Sequence, residues 1–270
     1  MPKFAANLSF LFAEVPFPER FNRAVAAGFT GVEYLFPYEY PASEIAEWLC
    51  ANDLEQVLFN LSAGDWAAGE RGLACLPHRQ GDFAESVEQA LGYAMVLDCA
   101  RVHCLSGLSS KGTSSGARLA GVSEAELEAT YVANLQFAAD RFATIGATVM
   151  IEPINSRIDM PGYWLDDIAK GFRLLEAVDR SNVKLQYDIY HAQIIAGDLA
   201  RTLEANIQRI GHIQIADNPG RHEPGTGEIN YPFLFDLLDR LGYEGWVGCE
   251  YKPLAATEAG LGWLPKGIRG

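Results

Sequence analysis

The sequence has few cysteines, and their arrangement excludes several kinds of site. The count is five in 270 residues, an odd number, and no pair shows Cys-x-x-Cys spacing. This pattern indicates free thiols in a reducing compartment and not a disulfide framework. We expect Cys99, Cys104 and Cys249 to lie in the core. The cysteines are Cys50, Cys75, Cys99, Cys104 and Cys249.

Positive charge is also scarce. The chain has 21 Lys and Arg residues against 35 Asp and Glu residues, a formal net charge of −14. Such a surface repels phosphate backbones, so we expect no nucleic-acid partner. A small anionic substrate remains compatible with this charge, because a few local cations can dominate one pocket.

Long apolar runs are missing as well. No uncharged run approaches the roughly 20 apolar residues of a membrane span, so we expect no membrane partner. The N-terminal stretch "FAANLSFLFA" is interrupted by Asn7 and Ser9, preceded only by Lys3 and followed by Glu14. These features favour a first β-strand over a signal peptide and predict a cytoplasmic location.

Strand-like and helix-like segments alternate along the whole chain. The strand-like runs are short and almost continuously apolar, as expected for strands that are covered on both faces. Helix-like stretches lie between them, such as "FPERFNRAVAAGF" with Pro18 in its first turn. Another, "SEAELEATYVANLQFAADRFATIG", opens with a capping box of Ser123 and Glu126. The runs are Phe4–Asn7, Gly31–Phe36, Glu55–Asn60, Arg101–Leu105, Thr148–Glu152, Val183–Asp188, Ile210–Ile215 and Trp246–Glu250.

Eight such units in 270 residues predict an α/β fold, a single-domain (β/α)8 barrel over residues 1–270. The "GTG" at Gly225–Gly227 is not a dinucleotide-binding fingerprint, because it follows no strand directly and opens no phosphate-binding helix. The longest irregular stretch, Leu61–Gly81, follows the third strand, and a loop of this length in a compact barrel is more often functional than idle.

Four consecutive strands end in acidic or polar residues. In barrels of this kind the carboxyl ends of the strands form the active-site face, so Glu152, Asp188, Gln214 and Glu250 should meet there. Crowded carboxylates repel one another unless a cation neutralises them. Oxygen-rich ligands suit Mg²⁺ or Mn²⁺, and the four residues therefore predict a divalent-metal site.

Single residues of this set also have ordinary structural explanations. A lone Glu at a strand end is usually exposed or salt-bridged. The functional interpretation therefore rests on the acidic or polar residues that end four successive strands. We expect His103 to be a hydrogen-bonded core residue and His212 to lie behind the ligands. His191 either contacts substrate or caps a helix. Trp66 either anchors its loop or forms a lid, and residues 223–228 could be an ordinary turn-rich connection.

The chain resembles the hydroxypyruvate isomerase family, within the xylose-isomerase-like barrels that include sugar epimerases. The resemblance runs over nearly the whole chain, through "AGDWAAGERG", "IEPIN", "QYDIYH", "GHIQIADNPGRHEPGTGEINY" and "GWVGCEYKP". It implies an isomerase that interconverts hydroxypyruvate and tartronate semialdehyde. In related metal-dependent epimerases the metal ligands match Glu152, Asp188, Gln214 and Glu250, and the third is usually His where this chain has Gln.

The same resemblance implies that Glu152 and Glu250 transfer protons and that His191 and Arg221 contact substrate oxygens. Moving a carbonyl between neighbouring carbons requires a proton shuttle through a cis-enediolate, which a metal stabilises. The substrate carboxylate needs a cation, for which the candidates are Arg71, Arg221 and Lys252.

Other functions remain open at this point. The same reacting atoms occur in 2-oxo-tetronate, and a keto-sugar 3-epimerase would use the same barrel. A metal-dependent abasic-site endonuclease would need more histidines and a basic groove, which five histidines and a charge of −14 disfavour. A non-catalytic barrel that binds a small acid would not need a proton-transfer pair. The sequence leaves the oligomeric state open, a homo-oligomer included.

Overall fold

Eight parallel strands close into a barrel in the computed structural model, which describes residues 2–109 and 121–264. Each strand pairs with its neighbours along the chain, and β1 pairs with β8, where Lys3 faces Trp246. The predicted (β/α)8 barrel is confirmed. The strands are β1 (Lys3–Asn7), β2 (Gly31–Tyr34), β3 (Glu55–Asn60), β4 (Arg101–His103), β5 (Thr148–Ile151), β6 (Val183–Asp188), β7 (Ile210–Ile215) and β8 (Trp246–Cys249).

Helices follow the strands and cover the outside of the barrel. They are α1 (Phe17–Ala26), α2 (Ala42–Ala51), α3 (Gln80–Leu97), α4 (Glu124–Ala143), α5 (Ile168–Val178), α6 (Ile189–Ile195), α7 (Leu199–Asn206), α8 (Tyr231–Arg240) and α9 (Thr257–Gly260). Within the two described ranges, no helix is long and apolar enough to cross a membrane.

Local sequence signals explain where several helices begin. Ser123 and Glu126 form the predicted capping box at the start of α4, with both reciprocal hydrogen bonds present. Pro18 lies in the first turn of α1, where its missing N–H costs no helical hydrogen bond. Asp188 begins α6 by accepting from the backbone N–H of Tyr190 at 2.8 Å. This last cap places the carboxylate of Asp188 at the junction between strand and helix.

Several strands end earlier than the apolar pattern predicts. Strand β2 ends at Tyr34 and not Phe36, and β4 ends at His103 and not Leu105. Strands β5 and β8 end at Ile151 and Cys249, so Glu152 and Glu250 are the first residues beyond them. After β4, β5 and β8 the chain stays buried beyond the last paired residue, whereas Leu35 and Phe36 after β2 are half-buried.

The long connection after β3 is only partly irregular. Pro77–Arg79 forms a 3₁₀ turn and α3 begins at Gln80, so the predicted irregular stretch to Gly81 is too long. Glu70 holds this loop by accepting from the backbone N–H of Asp65 at 2.7 Å and by pairing with Arg79. Gly72 has φ +115°, and a Cβ there would lie 2.4 Å from the carbonyl oxygen of Leu105.

The core surrounds the barrel wall, and most cysteines belong to it. Cys99, Cys104 and Cys249 are buried as predicted, Cys75 is also buried, and Cys50 is exposed. All five lie in the described ranges and are free thiols there. A reducing compartment stays a prediction.

Candidate active site

A cavity of about 250 Å³ lies where the loops after the strands converge. Asp188 and Gln214 do not line it but lie buried directly against lining residues, with 2% and 1% of their surfaces exposed. The barrel therefore brings all the predicted site residues into one region. The predicted residues that line the cavity are Glu152, Glu250, His191, Arg221, Arg71 and Lys252.

Two glutamine side chains connect Glu152 to Glu250. Gln186 Nε2 donates to Glu152 Oε2 at 3.0 Å and to Gln214 Oε1 at 2.7 Å. Gln214 Nε2 in turn donates to Glu250 Oε2 at 2.8 Å. Each glutamate thus has its Oε2 atom fixed by an amide N–H. This amide bridge holds both carboxyl groups in one orientation.

A further buried acid, Glu33, lies behind this bridge. Its Oε1 accepts from Asn7 Nδ2 at 3.0 Å and from Gln214 Nε2 at 2.7 Å. Its Oε2 lies 2.7 Å from His212 Nε2, so His212 contacts Glu33 and not the cavity. Gly248 makes room for Glu33, because a Cβ at residue 248 would lie 2.3 Å from Oε1.

Burial raises the pKa of three acids in this region, Glu152, Glu250 and Asp188. Burial raises the pKa of Glu152 well above its usual range, and repulsion by Glu250 and Asp188 adds to this effect. Burial raises the pKa of Glu250 to about 8, although the charge of Arg221 opposes the shift. For Asp188, burial raises the pKa to about 6 against the same opposing charge. Groups that titrate in this range suit general acid–base chemistry.

Arg221 is paired on both sides with carboxylates. Its Nη2 donates to Glu250 Oε1 at 2.6 Å, and its Nη1 donates to Asp159 Oδ1 at 3.0 Å. The guanidinium lies 5.2 Å from the ring centre of Phe10 and 5.3 Å from that of Tyr190. Burial lowers the pKa of Arg221, but the neighbouring carboxylates, Glu250 foremost, more than offset this and raise it. Arg221 is therefore charged and orients Glu250.

The loop that carries Arg221 is organised by Asp217. The Asp217 carboxylate accepts hydrogen bonds from the backbone N–H groups of Gly225 at 2.8 Å, Gly227 at 2.9 Å and Ile229 at 3.1 Å. It also accepts from the next residue in the chain at 3.0 Å. The stretch 223–228 is thus turn-rich, as its composition indicates, and its turns are fixed by one buried acid.

Arg71 and Lys252 lie at the outer part of the cavity. The guanidinium of Arg71 stacks over the Trp66 ring at 3.9 Å, and its Nη1 donates to the carbonyl oxygens of Trp66 and Glu70. Trp66 also packs against Phe36 with ring centres 5.2 Å apart, so it both anchors the loop and lines the cavity. In residues 2–109 and 121–264, neither cation has a carboxylate within salt-bridge distance.

His191 points into the cavity from the first turn of α6. Its Nδ1 lies 2.7 Å from Asn155 Nδ2, and its Nε2 lies 3.6 Å from Asp188 Oδ2 and 4.0 Å from Glu152 Oε1. The helix cap is the carboxylate of Asp188, so the alternative in which His191 caps this helix is wrong. Burial, and secondarily the charge of Arg221, lower the pKa of His191 well below its usual value.

His103 is buried and hydrogen-bonded as predicted, but it also lines the cavity. Its Nδ1 lies 3.2 Å from Asn60 Oδ1, and its Nε2 lies 3.4 Å from Glu152 Oε2. Burial lowers the pKa of His103 to about 3, which keeps the ring neutral. His103 is therefore both a core residue and a neighbour of the candidate base.

The buried acids can hold a metal ion. Ligand atoms of Glu152, Asp188 and His191 all lie within 4.8 Å of one another. Asp188 Oδ2 is buried and finds no hydrogen-bond partner in the described part of the chain. An unpaired buried carboxylate oxygen is costly, and a cation would satisfy it. The residues present therefore fit a metal ion.

Sequence reasoning missed several residues of this region. Asn7 and Asn60 end β1 and β3, so the strand-end argument applied to the first half of the chain would have found them. It would also have placed His103, predicted only as a core residue, at the cavity. Glu33 and Gln186 lie inside strands of otherwise apolar character, and no spacing marks them. Asn155 and Asp159 lie in the loop after β5, where the sequence carries no periodic signal.

Comparison with known proteins agrees with this architecture. The model of the xylose isomerase-like TIM barrel family matches residues 21–267. A 2-oxo-tetronate isomerase of Cupriavidus necator is 52% identical, and the hydroxypyruvate isomerase of Escherichia coli is 47% identical. Both alignments cover 98% of this chain and 98% of the relative.

A solved structure is similar over the same length. A crystal structure described as AP endonuclease, family 2, from Brucella melitensis superposes with a TM-score of 0.92 and is 49% identical. The alignment covers 97% of this chain and 98% of that chain. The chain belongs to the xylose isomerase-like TIM barrel family.

Proposed function

We propose that this protein is an isomerase that interconverts hydroxypyruvate and tartronate semialdehyde. The observation that carries the proposal is the pair Glu152 and Glu250, two buried acids with raised pKa values that line one small cavity. The names of its relatives from Cupriavidus necator and Escherichia coli support the same reaction class. The reaction removes a proton from C3 of hydroxypyruvate, delivers one to C2 and moves the hydroxyl proton from O3 to O2, through a cis-enediolate.

The two glutamates differ in how their oxygens are engaged. Glu250 accepts from Arg221 at Oε1 and from Gln214 and Asn7 at Oε2. Glu152 accepts from Gln186 at Oε2, while its Oε1 accepts no hydrogen bond from the described residues. We therefore assign the first proton abstraction to Oε1 of Glu152. Glu250 serves as the second proton-transfer group, held in place by Arg221.

A divalent cation, Mg²⁺ or Mn²⁺, would be held by Glu152, Asp188, Gln214 and Glu250. Gln214 would offer its amide oxygen, and the acids their carboxylate oxygens. When bound, the cation supplies positive charge that favours ionised carboxylates and an anionic enediolate. The residues themselves fix the geometry, because the amide bridge and Arg221 orient both glutamates before substrate enters.

The outer cations provide the contact for the substrate carboxylate. Of the three candidates, Arg221 already pairs with Glu250 and Asp159, so its charge is balanced. Arg71 and Lys252 line the cavity and have no such partner within the described residues. We assign the carboxylate to these two side chains. His191 then contacts an oxygen on the reacting carbons.

Two other activities are to be weighed against this one. A 2-oxo-tetronate isomerase would use the same groups on a four-carbon acid, and the similarity to the Cupriavidus necator enzyme favours it as the second candidate. The Brucella melitensis structure bears an endonuclease name. A net charge of −14 and an acidic cavity disfavour DNA as the substrate.

A substrate panel tests these activities directly. The purified protein would be assayed with hydroxypyruvate, 2-oxo-tetronate, free ketohexoses and DNA that contains an abasic site. Each assay would be run with added MnCl₂ or MgCl₂ and after chelator treatment, with Glu152→Gln as the matched inactive control. Turnover restricted to the short acids supports the proposal. Epimerisation of ketohexoses or DNA incision without turnover of either acid would refute it.

A further inference from the structure

The side chain of Asn155 is oriented by its own loop. Its Oδ1 accepts from the backbone N–H groups of Ile158 at 3.0 Å and Asp159 at 3.2 Å. This identifies the oxygen end of the amide, because two N–H donors point at it. The nitrogen end must then face the other way. Nδ2 lies 2.7 Å from Asp159 Oδ2, an acceptor, and 2.7 Å from His191 Nδ1.

The amide of Asn155 determines which nitrogen of His191 carries the proton. Nδ2 of Asn155 is a donor, so Nδ1 of His191 must accept, which requires a lone pair on Nδ1. A proton on Nδ1 would set two N–H donors against each other at 2.7 Å. This excludes both the Nδ1–H tautomer and the doubly protonated ring. The contact takes place where neither side chain can exchange its partner for water, since Asn155 is 0% and His191 2% exposed.

We propose that Asn155 is a positioning residue that locks His191 as the neutral Nε2–H tautomer, so that His191 donates a hydrogen bond to a substrate oxygen in the cavity. The Nε2 atom is the one that faces the acids, at 3.6 Å from Asp188 Oδ2 and 4.0 Å from Glu152 Oε1. The role toward substrate rests on the proposed isomerase function. The tautomer itself depends only on the contacts of Asn155.

This tautomer has two chemical consequences. A neutral donor can polarise a carbonyl or bind an enediolate oxygen without adding a second positive charge beside Arg221. An Nε2 atom that carries a proton has no lone pair for a metal ion, and Nδ1 is occupied by Asn155. Of the group Glu152, Asp188 and His191, the two acids are then the metal ligands, and His191 is left to contact the substrate.

Nuclear magnetic resonance of the histidine rings tests the tautomer without any assay of activity. The full-length protein, labelled with ¹⁵N in its histidine rings, would be studied by long-range ¹H–¹⁵N correlation at neutral pH. The His191 signals are identified by their loss in His191→Gln. We expect a protonated Nε2 and an unprotonated Nδ1. A protonated Nδ1 in the wild-type protein would overturn the proposal, whether or not the protein is an isomerase.

Two variants test whether Asn155 is the cause. Asn155→Asp keeps the size and an oxygen for the N–H groups of Ile158 and Asp159, but places an acceptor opposite His191 Nδ1. It also sets two carboxylates side by side, so the double variant Asn155→Asp/Asp159→Asn restores one amide–carboxylate contact there. In both variants we expect Nδ1 of His191 to become protonated. We also expect kcat for hydroxypyruvate to fall on the order of a hundredfold, the loss typical of a misplaced proton donor.

The outcomes separate positioning from a merely structural role. An unchanged Nε2–H signal in Asn155→Asp would show that Asn155 only supports its loop, and the proposal would be rejected. A shifted proton with unchanged kcat would reject the role of His191 toward substrate. If the wild-type protein turned over no acid of the panel, the ring signals would still decide the tautomer. The failure of the isomerase proposal is therefore distinguishable from the failure of this one.

Discussion

Removal of divalent cations should make the stability of this protein fall as the pH rises from about 4.5 to about 8. In the cation-free fold, burial raises the pKa values of Glu152, Asp188 and Glu250. A carboxyl group with a raised pKa keeps its proton in the folded state after it has lost it in the unfolded state. Its contribution is complete below the unfolded pKa and is lost as the pH rises through the folded pKa.

The raised pKa values give the size of the effect. The pKa of Glu250 rises from 4.5 to about 8. At about 1.4 kcal/mol per unit, this group alone lowers the free energy of unfolding by about 5 kcal/mol across that range. The pKa of Asp188 rises from 3.8 to about 6, which by the same conversion lowers the free energy of unfolding by about 3 kcal/mol. This part of the fall is complete at a lower pH. The groups interact, so the total is smaller than the sum, and we expect a fall of about 5 kcal/mol.

Urea unfolding followed by circular dichroism would measure this fall. The free energy of unfolding would be determined at several pH values, in excess chelator and in excess MgCl₂ or MnCl₂. The cation keeps the carboxylates ionised in the folded state, so the decline should disappear when it is present. Glu152→Gln keeps an oxygen for Gln186. In chelator, its free energy of unfolding should decline less with rising pH than that of the wild type. Glu204→Gln changes an exposed residue on α7 and serves as the control. Its free energy of unfolding should decline as that of the wild type does.

A flat profile in chelator would refute the reasoning, since it would mean that the three acids are not destabilised by burial. If the stability of Glu152→Gln declined as steeply as that of Glu204→Gln, burial of Glu152 would not contribute to the fall. A decline that persists in excess cation would instead show that the acids do not hold the metal ion.

Three further outcomes can be checked on purified variants. Glu152→Gln and Glu250→Gln should each lose at least about a hundredfold in kcat while remaining folded; washout of the C–H hydrogen into heavy water shows which glutamate takes the first proton. Arg71→Ala and Lys252→Ala should raise KM for hydroxypyruvate more than for uncharged dihydroxyacetone, and equal effects would contradict the carboxylate contact. Asp217→Ala removes the shared acceptor of the loop and leaves the N–H of buried Ile229 unpaired, so it should cost about 1–3 kcal/mol by urea unfolding.

The barrel could be predicted from the sequence because its signals are local. Strands covered on both faces give nearly continuous apolar runs, and helices begin at recognisable caps such as Ser123. The order of the strands follows from the alternation of the two elements. The ends of β2 and β4 could not be placed to the residue, because Leu35 and Leu105 remain apolar after the backbone has left the sheet.

The site could be predicted only where a residue type stands out from its surroundings. Glu152 and Glu250 do so because each follows an apolar strand. Glu33 does not, because its burial depends on space that Gly248, more than 200 residues later, leaves open for it. Asn155 gives no signal because its role depends on which end of its amide faces His191. Such contacts join distant segments, and one sequence contains no pattern for them.

We expect the balance of charge in the cavity to orient the proposed substrate. With a divalent cation bound and the acids ionised, Arg221 and the cation would supply three positive charges against five carboxylates. A substrate carboxylate placed among them would meet net negative charge and would be repelled. At the outer part, Arg71 and Lys252 have no carboxylate partner in the described ranges. We therefore expect the carboxylate of the proposed substrate to point outward and its reacting carbons to point inward, toward the acids Glu33, Glu152, Asp159, Asp188 and Glu250.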